Sequence, residues 1–200
     1  LFIGGEILKV VGHWRPGLDE QPVHLGEMPS TMDYKFVGKN RFERVFVDNQ
    51  TSGKGRKDAE WITDSDGIAG TWSIPSIVGL SPGILQIGLG AELSSAFNMH
   101  LKWPNDIVDG GYRKCGGVLC RLQSDGSVKI GIGMNRYAQD IADAETTGWD
   151  VSLPTMSKST AMYVADAVVA SALDAHPLIG IPNSENLRKD YFINVAEELA

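Results

Sequence analysis

Three stretches of the chain repeat apolar residues at helical spacing, and each predicts a helix that buries one face. The first begins at Ser81-Pro82, with serine at the N-cap and proline at the first helical position. Its apolar stripe, which indicates core packing, consists of Leu85, Leu89, Leu93 and Ala96. The second helix spans 157–175, and its inward positions are Met162, Ala165, Val169 and Ala172. The third is predicted over 184–199.

Alternating or continuous apolar runs predict the strands, which lie at 23–28, 44–48, 70–79, 118–122 and 128–134. The last two flank Ser124-Asp125-Gly126-Ser127, whose Asp-Gly pair predicts a hairpin turn. A short helix is predicted after Pro29, with Ser30 or Thr31 as its N-cap. Residues 50–66 are rich in glycine and charge and are predicted to form a long loop. This distribution of strands and helices predicts a mixed α+β domain.

The composition disfavours several classes of protein. The 200 residues, 42% of them apolar, suit one domain with its own core. A net charge of −7 disfavours a nucleic-acid-binding protein, which normally carries a basic face. The sequence has no run of 18 apolar residues and no signal peptide, so we predict a soluble protein without a membrane partner.

The two cysteines favour a reducing compartment, and we expect a cytoplasmic protein. Cys115 and Cys120 lie five positions apart in a predicted strand, which should place them on opposite faces of the sheet and disfavours a disulfide between them. The four histidines show no ligand spacing with each other or with the cysteines, so no metal site of that type is predicted.

The most distinctive motif is Lys102-Trp103-Pro104-Asn105-Asp106. Pro104 has a fixed φ and no amide donor, so a central strand cannot run through it. Asp106 offers oxygen ligands of the kind that Mg²⁺ takes. Two interpretations fit: a phosphate and metal site beside an aromatic wall, or a turn that caps the next element.

A second motif, at 50–57, alternates glycines with cations. Gly53 and Gly55 let backbone N–H groups approach an anion, and Lys54 and Arg56 add positive charge. The segment is not a Walker A loop, because the position five residues before Gly53 is not glycine. It lacks the third glycine of a dinucleotide fingerprint as well. It therefore predicts a site for a small anionic ligand, with a solvated basic loop as the alternative.

Five segments, taken in order, resemble the biotin–protein ligase family of the biotin/lipoate ligase group. They are Ser30-Thr31-Met32-Asp33, Gln50-Thr51-Ser52-Gly53-Lys54-Gly55-Arg56, Lys102-Trp103-Pro104-Asn105-Asp106-Ile107, Lys114-Cys115-Gly116-Gly117-Val118-Leu119 and Ile130-Gly131-Ile132-Gly133-Met134-Asn135. Their order and spacing are more specific than any single segment. The resemblance implies an α+β catalytic domain of class II synthetase type, with a mixed, mainly antiparallel sheet packed by helices.

The resemblance also implies roles for individual residues. The implied catalytic residues, Arg56 and Lys114, flank the point where the biotin carboxylate meets the α-phosphate of ATP. The implied biotin-binding residues are Ser30, Thr31, Met32, Gln50, Gly53, Lys54, Gly55, Arg56, Lys114, Gly116 and Gly117. The implied nucleotide-binding residues are Arg56, Trp61, Lys102, Asn105 and Asn135. Asp106 is the implied Mg²⁺ ligand.

Plainer interpretations of the same residues stay open at this point. Gly116-Gly117 is compatible with a β-bulge, and Asn135 with a turn at the end of a strand. Trp61 and Trp103 are compatible with core aromatic residues, and Lys114 with a solvated strand residue.

The implied reaction activates biotin with ATP and Mg²⁺ as biotinyl-5′-AMP and passes biotin to one lysine of the biotin carboxyl-carrier domain of a carboxylase. Biotin, ATP and that domain are the implied partners, a homodimer is compatible with the resemblance, and no tightly bound cofactor is expected. Two alternatives stay open. One is lipoate or octanoate transfer on the same fold, which the 102–106 motif disfavours; the other is a non-catalytic biotin- or adenylate-binding protein.

Residues 1–200 are predicted to form one catalytic domain. Only 29 residues precede Ser30, too few for the winged helix of some family members, so no DNA binding is predicted. The small C-terminal β domain of many members is not recognisable, which puts full ligase efficiency in doubt but not biotin binding. Asp58-Ala59-Glu60 replaces residues that are usually glycine or basic, and should weaken anion binding. The 50–60 loop is expected to be ordered only with ligand.

Overall fold

The computed structural model describes residues 21–37, 42–75, 81–142 and 144–175. Its strands are β1 (Val23–Met28), β2 (Glu43–Gln50), β3 (Gly53–Lys54), β4 (Glu60–Trp61), β5 (Ile68–Ile74), β6 (His100–Lys102), β7 (Asp106–Val108), β8 (Lys114–Leu122) and β9 (Val128–Met134). Seven of them form one sheet in the order β1-β2-β5-β9-β8-β7-β6, and β3 pairs with β4 in a separate hairpin. Within this described sheet, β1 and β2 are parallel and the other neighbours antiparallel. The predicted mixed, mainly antiparallel class is confirmed.

Two helices, α1 (Pro82–Ala96) and α2 (Lys158–Ala175), pack against each other and against the sheet. Ser81 caps α1 as predicted, because its hydroxyl accepts a hydrogen bond from the Ile84 amide at 3.2 Å. The apolar stripe of α1 meets a sheet face made of large side chains. The shared core includes Leu85, Leu89, Leu93, Trp72, Ile130, Ile132 and Met134. Among the described helices, none combines the length and the apolar character needed to cross a membrane.

Strand β8 contains a β-bulge that decides which of its side chains face the helices. Opposite β7, Gly116 pairs with Ile107 and Lys114 pairs with Val108, so Cys115 is the extra residue. In an unbroken strand Lys114 and Gly117 would face opposite sides of the sheet. With the bulge, both line one cavity. A β-bulge is one interpretation of Gly116-Gly117. The bulge is present, but its extra residue is Cys115, one position before the glycine pair, and it directs Lys114 into the cavity.

The bulge also corrects the prediction for the cysteines. Cys115 and Cys120 both contact the helix-side core, because the extra residue places them on one face of the sheet instead of two. Both thiols are free. Burial raises the pKa of Cys115 to about 12 and raises the pKa of Cys120 as well. Both therefore stay protonated at neutral pH and behave as inert core residues.

The remaining elements largely lie where the sequence predicts them. Ser30 caps a 3₁₀ turn at Thr31–Asp33, with its hydroxyl accepting from the Met32 amide at 3.3 Å. The segment 50–66 is not one long loop, because the β3–β4 hairpin forms within it and the Gly55 amide donates to the Ala59 carbonyl at 2.7 Å. The strand predicted at 70–79 instead spans 68–74. Residues 1–20, 76–80 and the helix predicted over 184–199 lie outside the described residues.

Asp109 stabilises the turn that leads into β8. Its buried carboxylate accepts hydrogen bonds from the Gly111 and Arg113 amides at 2.9 and 3.0 Å, and from the Arg113 guanidinium at 2.6 and 2.8 Å. Burial alone raises the pKa of Asp109, but the hydrogen bonds from Arg113 and Gly111 and the charge of Arg113 outweigh it and lower the pKa. The ionised form is therefore more favoured in the folded protein than in the unfolded chain.

We expect Asp109→Asn to lower the free energy of unfolding by about 2 kcal/mol at pH 7, since hydrogen bonds to charged groups contribute about 1.5–3 kcal/mol. A lowered folded pKa gives stability that is present above the unfolded value of about 3.9 and is lost as the pH falls through the folded value. Urea unfolding at pH 7 and pH 3 should therefore show the variant approaching the wild type at pH 3. Asp140→Asn, at an exposed carboxylate, is the control; a constant deficit at both pH values would contradict this account.

Candidate functional site

The sheet face opposite the helices carries small residues where the other face carries large ones. On β9, Gly131 and Gly133 alternate with the buried residues Ile130, Ile132 and Met134. A Cβ on Gly131 would lie 2.7 Å from Met32 Sδ, and a Cβ on Gly133 would lie 2.3 Å from Trp61 Nε1. A larger residue at either position would have to push aside the Met32 or the Trp61 side chain, because the 3₁₀ turn and the β3–β4 hairpin lie directly on the strand. The space between these two elements is a cavity.

The cavity has a volume of about 250 Å³ and gathers residues from all five sequence segments. The predicted site residues that line it are Ser30, Thr31, Met32, Gln50, Lys54, Gly55, Arg56, Trp61, Asn105, Asp106, Lys114 and Gly117. Sequence reasoning missed other lining residues, among them Glu60, Leu119, Gly131 and Gly133. The Gly-x-Gly spacing on β9 is a signal that could have identified the two glycines.

One end of the cavity is a cluster of uncharged polar groups. The Thr31 amide donates to Gln50 Oε1 at 2.9 Å, and the Thr31 hydroxyl donates to the same oxygen at 3.2 Å. Below them, the buried Thr71 hydroxyl donates to Thr31 Oγ1 at 2.8 Å. Ser30 and Thr31 are themselves buried. Such groups suit a neutral ligand moiety that both donates and accepts hydrogen bonds.

The other end of the cavity is charged, and its cations already have partners. Lys114 Nζ lies 2.6 Å from Asp106 Oδ1 and 5.4 Å from the centre of the Trp61 ring. The Arg56 guanidinium donates to Asn105 Oδ1 at 3.2 Å. Arg56 and Lys114 therefore line one cleft, with Asn105 and Asp106 as their respective partners. At the mouth, Lys54 forms an ion pair with Asp33.

An anionic ligand that binds Arg56 and Lys114 has to compete with their present partners, Asn105 and Asp106. The side chains of Lys114 and Asp106 are 40% and 28% exposed, so their attraction is weakened by solvent. A ligand phosphate can accept charge-assisted hydrogen bonds from Arg56 and Lys114, stronger than the bond that the neutral Asn105 amide accepts from Arg56. The described residues contain no group of three or more possible metal ligands. A single carboxylate at Asp106 instead suits Mg²⁺ that arrives with phosphates, which complete its oxygen shell.

Two of the predicted site glycines do not line the cavity. A Cβ on Gly116 would meet Met134 Cγ at 2.5 Å, so Gly116 faces the core beside the bulge. A Cβ on Gly53 would meet Gln50 Nε2 at 2.3 Å and the Trp61 carbonyl at 2.4 Å, so glycine there permits the hairpin to close. Both are required by protein packing, which the family motif does not distinguish from ligand contact.

Two of the predicted nucleotide-binding residues also lie outside the cavity lining. Lys102 is exposed on β6, at the end of the described sheet. Asn135 is buried, and its side chain accepts from the Asp64 amide at 2.9 Å and donates to the Ile62 carbonyl at 3.1 Å. Trp103 is 50% exposed, so it is not a core residue. Trp61, by contrast, lines the cavity.

The contacts of Asn135 belong to an anchor for the Trp61 segment that sequence reasoning missed. Asp64 accepts from the Arg136 amide at 2.7 Å and from the Tyr137 amide at 3.2 Å. Together Asn135 and Asp64 fasten residues 62–64 to the end of β9. The anchor fixes the chain just beyond Trp61, so the indole is positioned against the sheet before any ligand binds. The Asp-Ser-Asp-Gly run at 64–67 was its only local signal, as a turn motif.

We expect Gly133→Ala to displace Trp61 from the sheet. The new Cβ would overlap the indole ring, which has to move away because β9 is held in the sheet on both sides. Overpacking of this kind costs about 1–3 kcal/mol. Amide hydrogen exchange in residues 59–66 should therefore quicken by about tenfold.

Gly26→Ala is the matched control, because a Cβ there has nothing within 4 Å. Unchanged exchange at 59–66 in the Gly133 variant would show that Trp61 does not rest on this strand. General acceleration across the sheet would show instead that the substitution unfolds the protein rather than the segment.

Comparisons with known proteins show which proteins the chain is similar to. No protein-family model matches the chain. A curated relative from Paracoccus denitrificans, named biotin–[acetyl-CoA-carboxylase] ligase, is 33% identical over 120 residues, covering 52% of this chain and 48% of the relative. The chain thus matches about half the length of that relative.

Solved structures give the same fold. Biotin protein ligase from Leishmania major in complex with biotin has a TM-score of 0.70 and 22% identity, covering 88% of this chain and 80% of that one. Biotin protein ligase from Aquifex aeolicus in complex with biotin and ATP has a TM-score of 0.63 and 22% identity, covering 77% and 71%. Biotin acetyl coenzyme A carboxylase synthetase from Helicobacter pylori has a TM-score of 0.62 and 18% identity, covering 89% and 83%.

Proposed function

We propose that this chain is an ATP-dependent ligase acting on biotin. It has the fold of biotin protein ligases, and its sequence resembles theirs. It joins biotin and ATP to form biotinyl-5′-AMP and passes biotin to a lysine of a carboxylase carrier domain. One observation carries the proposal: Arg56 and Lys114 line the same cavity as the Ser30, Thr31 and Gln50 cluster. A urea-like head and an acidic tail would thus find matching groups in one space.

The first step joins two anions. An oxygen of the biotin carboxylate attacks the α-phosphorus of ATP, a new P–O bond forms, and the bond to the bridging oxygen breaks as pyrophosphate leaves. Negative charge accumulates on the α-phosphate oxygens, where cations held in advance are most effective. Arg56 and Lys114 are suited to this role. Their present partners, Asn105 and Asp106, hold them in place before substrate arrives.

ATP and its Mg²⁺ act as substrate in this scheme. Asp106 would contribute one oxygen to the Mg²⁺ shell and so exchange Lys114 for the metal, leaving Lys114 to the α-phosphate. Trp61, whose indole lies over Gly133 at the edge of the cavity, would cover the adenylate. The amides of the 53–56 segment would face the anion where glycines keep side chains away. Asn135 would act through the Trp61 segment that it anchors.

The second step uses the activated acid. The neutral amine of the acceptor lysine attacks the carbonyl carbon of biotinyl-5′-AMP, an amide forms, AMP leaves with the electron pair of the broken C–O bond, and one amine proton is released to solvent. Because the anhydride is already reactive, this step needs mainly positioning. The exposed mouth between Lys54 and Asp33 is the side from which a lysine side chain would enter.

The polar end of the cavity favours biotin over lipoate or octanoate. Those acids end in an apolar dithiolane or alkyl group, which would leave buried hydroxyl and amide groups without partners. Unpaired buried polar groups of this kind reject a ligand strongly. A cyclic urea satisfies them.

Biotin-dependent exchange of labelled pyrophosphate into ATP tests the proposal directly. We expect exchange with biotin and MgATP, and none with lipoate or octanoate. Exchange with lipoate in place of biotin would assign the chain to that sister activity. Biotin binding in calorimetry without any exchange would make the chain a non-catalytic binding protein. Transfer to a purified carboxylase carrier domain, detected with streptavidin, tests the second step.

A further inference from the structure

A residue lies directly behind the polar end of the cavity. It belongs neither to the sequence motifs nor to the cavity lining. Thr71, on β5, is fully buried, and its hydroxyl donates to Thr31 Oγ1 at 2.8 Å. Its register partner on β9 is Gly131, whose α-carbon faces Met32 of the 3₁₀ turn. Thr71 therefore lies beneath the turn that presents Ser30 and Thr31 to the cavity.

The direction of each hydrogen bond in this cluster follows from chemistry. A backbone N–H can only donate, so the Gln50 atom that lies 2.9 Å from the Thr31 amide has to be the carbonyl oxygen Oε1. A carbonyl oxygen can only accept, so the Thr31 hydroxyl gives its one proton to that oxygen at 3.2 Å. Thr31 Oγ1 then has only lone pairs left, and the Thr71 hydroxyl has to be the donor to it.

The result is a fixed order of donors and acceptors toward the cavity. One lone pair of Thr31 Oγ1 is taken by Thr71, and the other is left as an acceptor. Gln50 Nε2, with two N–H donors, has no protein acceptor within the described structure and lies beside Gly53. An acceptor next to a donor pair matches a cyclic urea, which has N–H groups next to a carbonyl oxygen.

We propose that Thr71 is a positioning residue for recognition of the cyclic urea, acting through Thr31 rather than by touching the ligand. This inference rests on the proposed function and deepens it. By holding the Thr31 hydroxyl from below, Thr71 keeps its proton on Gln50 and its free lone pair toward a ligand N–H. Without Thr71, Thr31 Oγ1 loses one of these two hydrogen bonds, and only the bond to Gln50 at 3.2 Å still orients the hydroxyl.

The test compares Thr71→Val, which keeps the shape but removes the hydroxyl, with Thr71→Ser, which keeps the hydroxyl. Thr71→Val should weaken biotin binding, measured by calorimetry, by about 3- to 10-fold, the effect of one hydrogen bond. The KM for ATP should not change, and Thr71→Ser should restore most of the biotin affinity. Unchanged biotin affinity in Thr71→Val would overturn the inference, as would equal losses for biotin and ATP.

A double-mutant cycle with Thr31→Val tests whether Thr71 acts through Thr31. In the Thr31→Val background, adding Thr71→Val should have no further effect on biotin affinity. Additive losses would contradict the inference. If Thr71→Val does not fold, Thr71→Cys, whose thiol is a weak donor, gives the same comparison. Failure of the wild type to bind biotin would instead refute the proposed function, so the two failures are distinct.

Discussion

Lys114→Ala should lower the rate of biotin-dependent pyrophosphate exchange by about 100- to 1000-fold, the loss typical for removal of one preorganised donor at a reacting oxyanion. The structure gives the reason for so large an effect. Lys114 enters the cavity only because the bulge at Cys115 turns it there, and its backbone is held on the other side by the Glu145 carbonyl and the Thr147 amide, both at 2.9 Å. The backbone of Lys114 is therefore in place before substrate binds, so that the ammonium is directed toward the reacting groups in advance.

Binding and chemistry can be separated in the same variant. Biotin affinity, measured without ATP, should fall much less than the exchange rate, because under the proposed function the ureido end would contact only uncharged groups. Lys114→Arg should recover part of the rate, since it keeps the charge but not the compact ammonium. Lys35→Ala removes an exposed charge that does not line the cavity and should leave the rate unchanged. A Lys114→Ala variant with wild-type exchange would remove Lys114 from the mechanism.

The loss of Lys114 should lower the exchange rate for a second reason, which is the charge of its partner Asp106. Removing Lys114 leaves Asp106 without its cation at the place where phosphate charge accumulates. The variant therefore both loses an attraction and gains a repulsion. Asp106→Asn would relieve that repulsion but would also remove the proposed Mg²⁺ ligand, so it should not restore the exchange rate of Lys114→Ala. The same reasoning applies to Lys54 and Asp33 at the mouth, with smaller effects because both are more exposed.

Sequence reasoning identified the helices and most strands because their apolar periodicity reflects burial directly. Leu85, Leu89 and Leu93 are buried where their spacing places them. The segments that line the site were found for a different reason. Polar, glycine-rich motifs at strand ends have few structural explanations other than a binding site. The fold comparison then confirmed the class that these motifs implied.

What the sequence could not reveal depends on long-range contacts. The bulge at Cys115 leaves no trace in the pattern of apolar residues, yet it reverses the face of Lys114, the strand residue before it. The same holds for Asn135, whose partners Ile62 and Asp64 are 73 and 71 residues away in sequence but in direct contact in the fold. Thr71 reads as an ordinary β-branched strand residue, and only the position of Thr31 above it gives it a role.

Gly148→Ala should cause the largest loss of stability among the glycine substitutions, about 3 kcal/mol. Gly148 has φ −130° and ψ 167°, which alanine adopts readily, so backbone conformation is not the reason. A Cβ would instead lie 1.9 Å from the Arg136 carbonyl oxygen and 2.4 Å from the Tyr137 amide nitrogen. Backbone atoms cannot rotate away, so the two chain segments have to separate.

That separation would disrupt neighbouring contacts on both sides. The Trp149 amide donates to the Asn135 carbonyl at 3.1 Å, and the fully buried Trp149 ring packs against Phe97 with ring centres 5.8 Å apart. Loss of packing and of these hydrogen bonds together accounts for about 3 kcal/mol. For a chain of this size the melting temperature should fall by about 6–12 °C.

Gly26→Ala on β1 is the control, and it should change the free energy of unfolding by less than about 0.5 kcal/mol because its Cβ meets open space. Equal stabilities of the two alanine variants would show that residues 135–137 and 148–150 do not approach so closely. Because Asn135 also anchors the Trp61 segment, the Gly148 variant should lose affinity for ATP at temperatures where it is still folded. If the Gly148 variant loses stability but keeps full ATP affinity, residues 148–150 do not influence Trp61. Asp64 alone would then anchor the Trp61 segment.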